Sequence, residues 1–164
     1  MRRSLLFLVL CSCGAVSFDV EQDLQRQLIQ GNPLGGILSS AFLPNPYSLN
    51  IDLKAEVAKR GTGPATKAFL KSLKFDIAAD TPNANFDFVD ETRLFVEGPG
   101  LSKVEIARKV PVPNGLKTLE FEVVPDVDLL PYINAGATIT ATATGSQPAA
   151  DTAFTGKVIV EVRI

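Results

Sequence analysis

The sequence has no histidine, no tryptophan and only two cysteines, Cys11 and Cys13, both near its start. Each absence removes chemistry. Without histidine, the commonest general base and the commonest metal-ligating side chain are missing. With both thiols within the first 13 residues, the body of the chain offers no disulfide, no thiolate nucleophile and no cysteine-based zinc site. Positive charge is not in excess either: 16 Lys and Arg stand against 18 Asp and Glu, for a formal net charge of −2. No local basic cluster departs from that balance, so a nucleic-acid partner is not expected. Gly61-Thr62-Gly63 and Gly98-Pro99-Gly100 read as turns and not as phosphate-cradling loops. The longest N-terminal apolar run is too short to span a bilayer.

What is present starts with residues 1–13. Met1-Arg2-Arg3 is a basic n-region, and Ser4 to Leu10 (SLLFLVL) is a short apolar h-region, the pattern of a secretory signal. The two arginines lack the flanking pattern of a twin-arginine signal. Leu10-Cys11-Ser12-Cys13 then resembles the lipobox of bacterial lipoproteins, with an aliphatic residue at −3, a small one at −1 and the cysteine that becomes the new N-terminus. That resemblance implies diacylglyceryl transfer to the Cys13 thiol, cleavage before Cys13, and acylation of the freed amine. Cys11 is the poorer acceptor, because bulky Leu10 precedes it. Loss of Arg2 and Arg3 with the signal takes the formal charge from −2 to −4. Gly14 stands where an Asp would imply retention at the inner membrane, so the resemblance implies a lipid anchor in the outer membrane of the cell envelope.

The remaining length suits one domain with a real core. We expect residues 1–12 to be the signal peptide, 13–47 a lipid-anchored segment and crossover, and 48–164 the folded domain. Residues 18–30 (FDVEQDLQRQLIQ) fit two elements. Val20, Leu24 and Leu28 recur every four residues, as on a helix face, with Ser17 and Gly31 as possible caps. Phe18, Val20, Leu24 and Leu28 also share one parity, as on an edge strand. Residues 31–47 hold three prolines and several glycines among Leu34, Ile37, Leu38, Phe42 and Leu43. They read as an ordered crossover with one helical turn, laid against a sheet or across an open end.

Beyond that the hydrophobic period is two. Leu49, Ile51, Leu53, Ala55 and Val57 alternate with polar residues and predict the first of seven strands. The others are expected at about 69–78, 92–97, 103–108, 117–124, 137–144 and 157–164. Turn signals separate them, Asn114-Gly115 the strongest. A helical turn is expected near Leu129-Tyr132. Seven alternating strands predict an all-β chain, an antiparallel immunoglobulin-like β-sandwich. Leu130-Pro131-Tyr132 is similar to the tyrosine corner of such domains, where the hydroxyl ties a crossover to the backbone.

The candidates for chemistry are acidic. Asp87, Asp90 and Glu91 sit on the loop entering the third strand, Asp126 and Asp128 before the sixth, and Asp80 after the second. Carboxylates from two loops at one end of a sandwich could hold Ca²⁺, which takes six to eight oxygens, although no spacing matches an EF-hand. The plainer reading is solvated carboxylates and turn caps. The same groups could be read as an acid/base pair of an envelope hydrolase acting on glycosides, but no aromatic sugar platform accompanies them. Phe86 and Phe88 read as core anchors, and the row Thr138, Thr140, Thr142 and Thr144 as a wet strand face.

Taken whole, the chain resembles the uncharacterised lipoproteins of Gram-negative bacteria, with the lipobox carrying the resemblance. It implies location and anchoring, and supplies no catalytic residue. The function expected is therefore that of a non-enzymatic envelope lipoprotein without a required cofactor. Its partners would be the membrane, through the lipid, and another envelope protein or a glycan. A calcium-assisted carbohydrate-binding or adhesion module is the alternative, using Asp87, Asp90, Glu91, Asp126 and Asp128.

Overall fold

The computed structural model describes residues 16–38, 42–83 and 85–164. The cleavage and lipidation assignments, Cys13 among them, lie outside the described residues. Among the described residues nine strands and two short helices follow one another: β1 (Ser17–Ile29), β2 (Tyr47–Ser48), α1 (Leu53–Arg60), β3 (Lys67–Ile77), β4 (Val89–Gly98), β5 (Leu101–Lys109), β6 (Thr118–Glu120), β7 (Glu122–Val123), α2 (Leu130–Asn134), β8 (Thr138–Gly145) and β9 (Thr152–Arg163). They form two antiparallel sheets packed as a sandwich, one of order β1-β9-β3-β6 and one of order β2-β8-β4-β5-β7.

The period-two segments fold as strands because alternation lets each bury one face. In β9, Val158, Val160 and Val162 are buried while Glu161 and Arg163 reach solvent. β8 buries Ile139 and Ala141 and turns its threonine row away from the core. β1 resolves the ambiguity of its segment as a strand, paired along its length with β9. A register shift between Leu24 and Gln27 reverses its parity. Val20 and Leu24 point inward before the shift, Gln27 and Ile29 after it, and Leu28 is left on the outer face.

The expected strand at 49–57 is corrected: Leu53–Arg60 is the helix α1. Asp52 caps it, its Oδ1 accepting from the Ala55 N–H at 2.9 Å. Glu56 takes Lys59 and Arg60 on the next turn, and Gly61 ends the helix in the left-handed region at φ 63°. The expected fifth strand is also corrected, to two pieces in different sheets. β6 pairs with β3 and β7 with β5. Buried Phe121 sits at the crossing, its N–H donating to the Leu73 carbonyl at 3.1 Å.

The core between the sheets centres on Phe75. Its ring lies 5.0 Å from Phe121, 5.2 Å from Phe154 and 6.1 Å from Phe42. Gly156 passes beneath it, where a Cβ would come within 2.6 Å of the ring. Phe42 and Leu43, at the end of the crossover, are buried in the same cluster; the helical turn expected in that crossover falls partly on residues outside those described. Phe86 and Phe88 are core residues as well. Tyr132 on α2 donates its hydroxyl to the Ser102 carbonyl at 2.7 Å, which ties the last crossover to the start of β5.

Candidate functional site

The long strands give the sandwich two ends, and the elements at each end differ. At one end, Ile29 pairs with Thr152, and Gly31 to Leu38 run beside Gly145 to Asp151. At the other, Ser17 pairs with Arg163, and α1, the 61–66 connection and α2 gather around the start of β3. The 13 residues of β1 separate these ends by roughly 40 Å at the usual strand rise.

The acidic loops do not share an end. Asp128 Oδ1 accepts from Ala68 N–H at 3.1 Å and Leu130 N–H at 3.0 Å, at the first residues of β3. Asp126, at φ 63°, belongs to the same turn. Asp87 accepts instead from the Gly115 N–H, and the neighbouring Lys117 carbonyl takes the N–H of Ile77, the last residue of β3. Asp90 and Glu91 start β4 on that side, where Glu91 pairs with Thr144. Asp80 is held by Arg26 at 2.8 Å and 3.0 Å, and that guanidinium keeps its carboxyl below the usual range. Phe69 and Ile77 are about 26 Å apart along β3, so carboxylates at Asp128 and Asp87 cannot share one ion. Among the described residues no group of three or more Asp, Glu, Cys or His side chains is placed to hold a metal. Asp87 and Asp128 cap turns, a reading the sequence allowed; which loops meet is decided by strand connectivity, which spacing does not reveal.

Two apolar features remain, and sequence reasoning assigned a function to neither. At the β1 exit end, the crossover loop carries Leu34 and Ile37, 95% and 86% exposed, beside Leu28, 49% exposed. A cavity of about 380 Å³ opens there between Leu28, Ile37, Leu38, Pro44 and Gln147. At the β1 entry end, a groove of about 480 Å³ lies between α1 and α2, with Leu53, Val57, Pro64, Ala65 and Leu130 in its walls and Lys54 at its rim. Lys59 and Arg60 on α1, Lys67 on β3 and Arg163 on β9 stand around the same end. The Arg60 guanidinium stacks over the Phe18 ring at 4.2 Å and that of Arg163 over the Phe69 ring at 4.5 Å, and each also pairs with a carboxylate, Glu56 and Glu161. The parity break in β1 was the sequence signal for exposed Leu28, since Gln27 and Ile29 flank it.

A third, polar niche of about 150 Å³ lies along β1 and β2, lined by Gln22, Asp23, Tyr47, Ser48 and Asn50 among others. Gln22 donates to the Ser48 carbonyl at 2.9 Å there. Burial pushes the Tyr47 hydroxyl well above the ordinary phenol range.

No protein family model matches the sequence, and no curated protein matches it. The class defined by the fold is that of a mostly β protein, two antiparallel sheets of four and five strands packed as a sandwich.

Proposed function

We propose that the protein is a lipid-anchored protein of the bacterial cell envelope whose sandwich serves as a non-catalytic binding or structural domain. The observation that carries this reading is the run Leu10-Cys11-Ser12-Cys13 after a basic and then apolar start. Several acyl chains on one cysteine, each methylene worth about 0.8 kcal/mol of burial, make a stable tether. Gly14 after the lipid site favours the outer membrane. The exposed Leu28, Leu34 and Ile37 supply the surface for a partner protein in the envelope, since contiguous exposed apolar side chains are uncommon on isolated soluble domains. Kinship with immunoglobulin-like domains is part of this reading at the level of architecture: two antiparallel sheets enclose one core. The connectivity is its own, with β4 and β5 the one pair of consecutive strands that lie hydrogen-bonded side by side among the described residues.

The test is the intact mass of the protein extracted from membranes, with mapping of its N-terminal peptide. A diacylated or triacylated N-terminus at Cys13 is expected. An unmodified N-terminus, or one that still carries residues 1–12, would overturn the proposal.

A further inference from the structure

Resting on the lipid-anchor reading, we infer that the domain stands on the bilayer by one end, with the α1/α2 groove seated at the headgroup boundary and the Leu34/Ile37 loop farthest from the membrane. The occupant proposed for the groove is the lipid surface itself.

The argument starts from the length of the tether. Only Gly14, Ala15 and Val16 separate Cys13 from Ser17, the first residue of β1. At about 3.3–3.6 Å per residue, Ser17 lies no more than about 14 Å along the chain from the lipidated cysteine. Such a leash cannot hold the domain away from the surface, as a long polar linker would. It also fixes which end is near. Val16 emerges against Ile164, its carbonyl accepting the Ile164 N–H at 2.9 Å. Ile164 lies beside Gly63, and Thr66 binds the Arg163 carbonyl, so the chain leaves the domain beside the 61–66 segment that walls the groove. The other apolar feature, the Leu34/Ile37 loop, is a β1 length away, roughly 40 Å. It can reach the bilayer only if the domain lies flat.

The chemistry of the near end suits that seat. Its groove is walled by Leu53, Val57, Pro64, Ala65 and Leu130. Lys54 lines it, and a long basic side chain can lay its stem on apolar surface while its head meets phosphate; Lys59 and Arg60 nearby are paired with Glu56 and Arg163 with Glu161, so the apolar walls carry the seat. The mature chain carries a formal charge of about −4, so a general electrostatic attraction to anionic lipid is not what would hold it there. Orientation comes from the tether and the apolar groove together.

The absence of tryptophan makes the test clean, because a single introduced Trp is the one indole in the chain. The chain from Cys13 onward, its one thiol coupled to a maleimide phospholipid, carries the anchor whatever the cell attaches. It is bound to phosphatidylcholine vesicles containing lipid brominated near the headgroup end of the acyl chains. Reporters are Ala58→Trp and Lys54→Trp at the groove and Leu34→Trp at the far loop, all at exposed positions. With the groove within the roughly 5–10 Å of the boundary that interfacial apolar surfaces occupy, emission from A58W and K54W falls on the order of twofold, and that from L34W is unchanged. Quenching at all three positions would mean a domain lying flat, quenching at L34W alone an inverted one, and quenching at none a domain held off the surface; each overturns the inference. Failure of the lipoprotein reading is seen separately, as an unmodified N-terminus in the mass of the native protein.

Discussion

Tyr47 lies in the core with its ring 6.0 Å from that of Phe75, and burial holds its phenol protonated well past the pH at which a free tyrosine ionises. In the unfolded chain the group loses its proton near pH 10. Above that pH the unfolded state binds fewer protons than the fold, so stability falls as pH rises. One such group contributes up to about 1.4 kcal/mol per pH unit; below pH 10 it contributes nothing. Lys71 and Lys157 act in the same direction, since hydrogen bonds from their ammonium groups to Asp19 and Glu21 raise their pKa values. Tyr47→Phe isolates the tyrosine. Its urea midpoint should match the parent within about 1 kcal/mol at pH 8 and exceed it increasingly above pH 10. Parallel curves through pH 11 would mean that Tyr47 is solvated. Tyr132 makes the opposite case, a hydroxyl with a defined partner. Tyr132→Phe keeps the ring but strips the Ser102 carbonyl of its donor, and should cost about 1–2 kcal/mol in the same urea assay.

At the scale of elements, β9 is the spine of its sheet, paired on one side with β1 and on the other with β3. Val160 faces Val20 and Leu70 in those pairings and is fully buried. Val160→Asp places an unpaired charge there and should cost more than about 4 kcal/mol, enough to unfold a domain of ordinary stability. Ile159→Asp, on the opposite face, should leave a cooperative thermal transition. A folded V160D protein by circular dichroism would mean the faces of β9 are reversed. The sequence displayed β9 plainly, because Val158, Val160 and Val162 alternate without interruption. Residues 49–57 read as a strand, and the helix at Leu53–Arg60 was missed. Leu53, Ala55 and Val57 fit a period of two, yet Leu53 and Val57 are also one helical turn apart. The ends decide: Asp52 as cap, good helix formers between, and Gly61 after Arg60. Asp52→Ala should accordingly lower stability by about 1 kcal/mol, and Asp52→Asn far less, by thermal melting. β1 was hidden differently. Its bulge between Leu24 and Gln27 splits one strand into two opposed parities, so no single period runs through it. The acidic loops were legible as turn caps but not as neighbours or strangers, because Asp87 and Asp128 owe their separation to the direction of β3.

For the whole molecule, the proposed function turns on one residue, Cys13, which lies outside the described residues. A single acylated cysteine would set the compartment, the distance from the bilayer and, through a tether of three residues before β1, the end that faces it. Cys13→Ala and Cys11→Ala test that assignment against each other. Both leave the h-region apolar, so export proceeds alike in the two variants. If Cys13 is the acceptor, C13A should lose acylation and either move to the soluble fraction or stall with its signal uncleaved, whereas C11A should remain in the membrane fraction with an acylated N-terminus. The order of effects is large, because losing several buried acyl chains removes far more affinity than any surface contact of a domain this size restores. The readout is carbonate-washed membrane against supernatant, with intact mass on each. If C11A is the variant that leaves the membrane, the lipid sits at Cys11, two residues farther from β1, and the leash lengthens by about 7 Å. That would loosen the end-on seat without changing which end is nearer, since Val16 would still emerge beside Ile164 and the groove. If both variants stay on the membrane, intact mass separates the causes: a C13A protein that keeps residues 1–12 is held by its uncleaved signal, whereas a cleaved and unacylated one binds lipid through the domain itself.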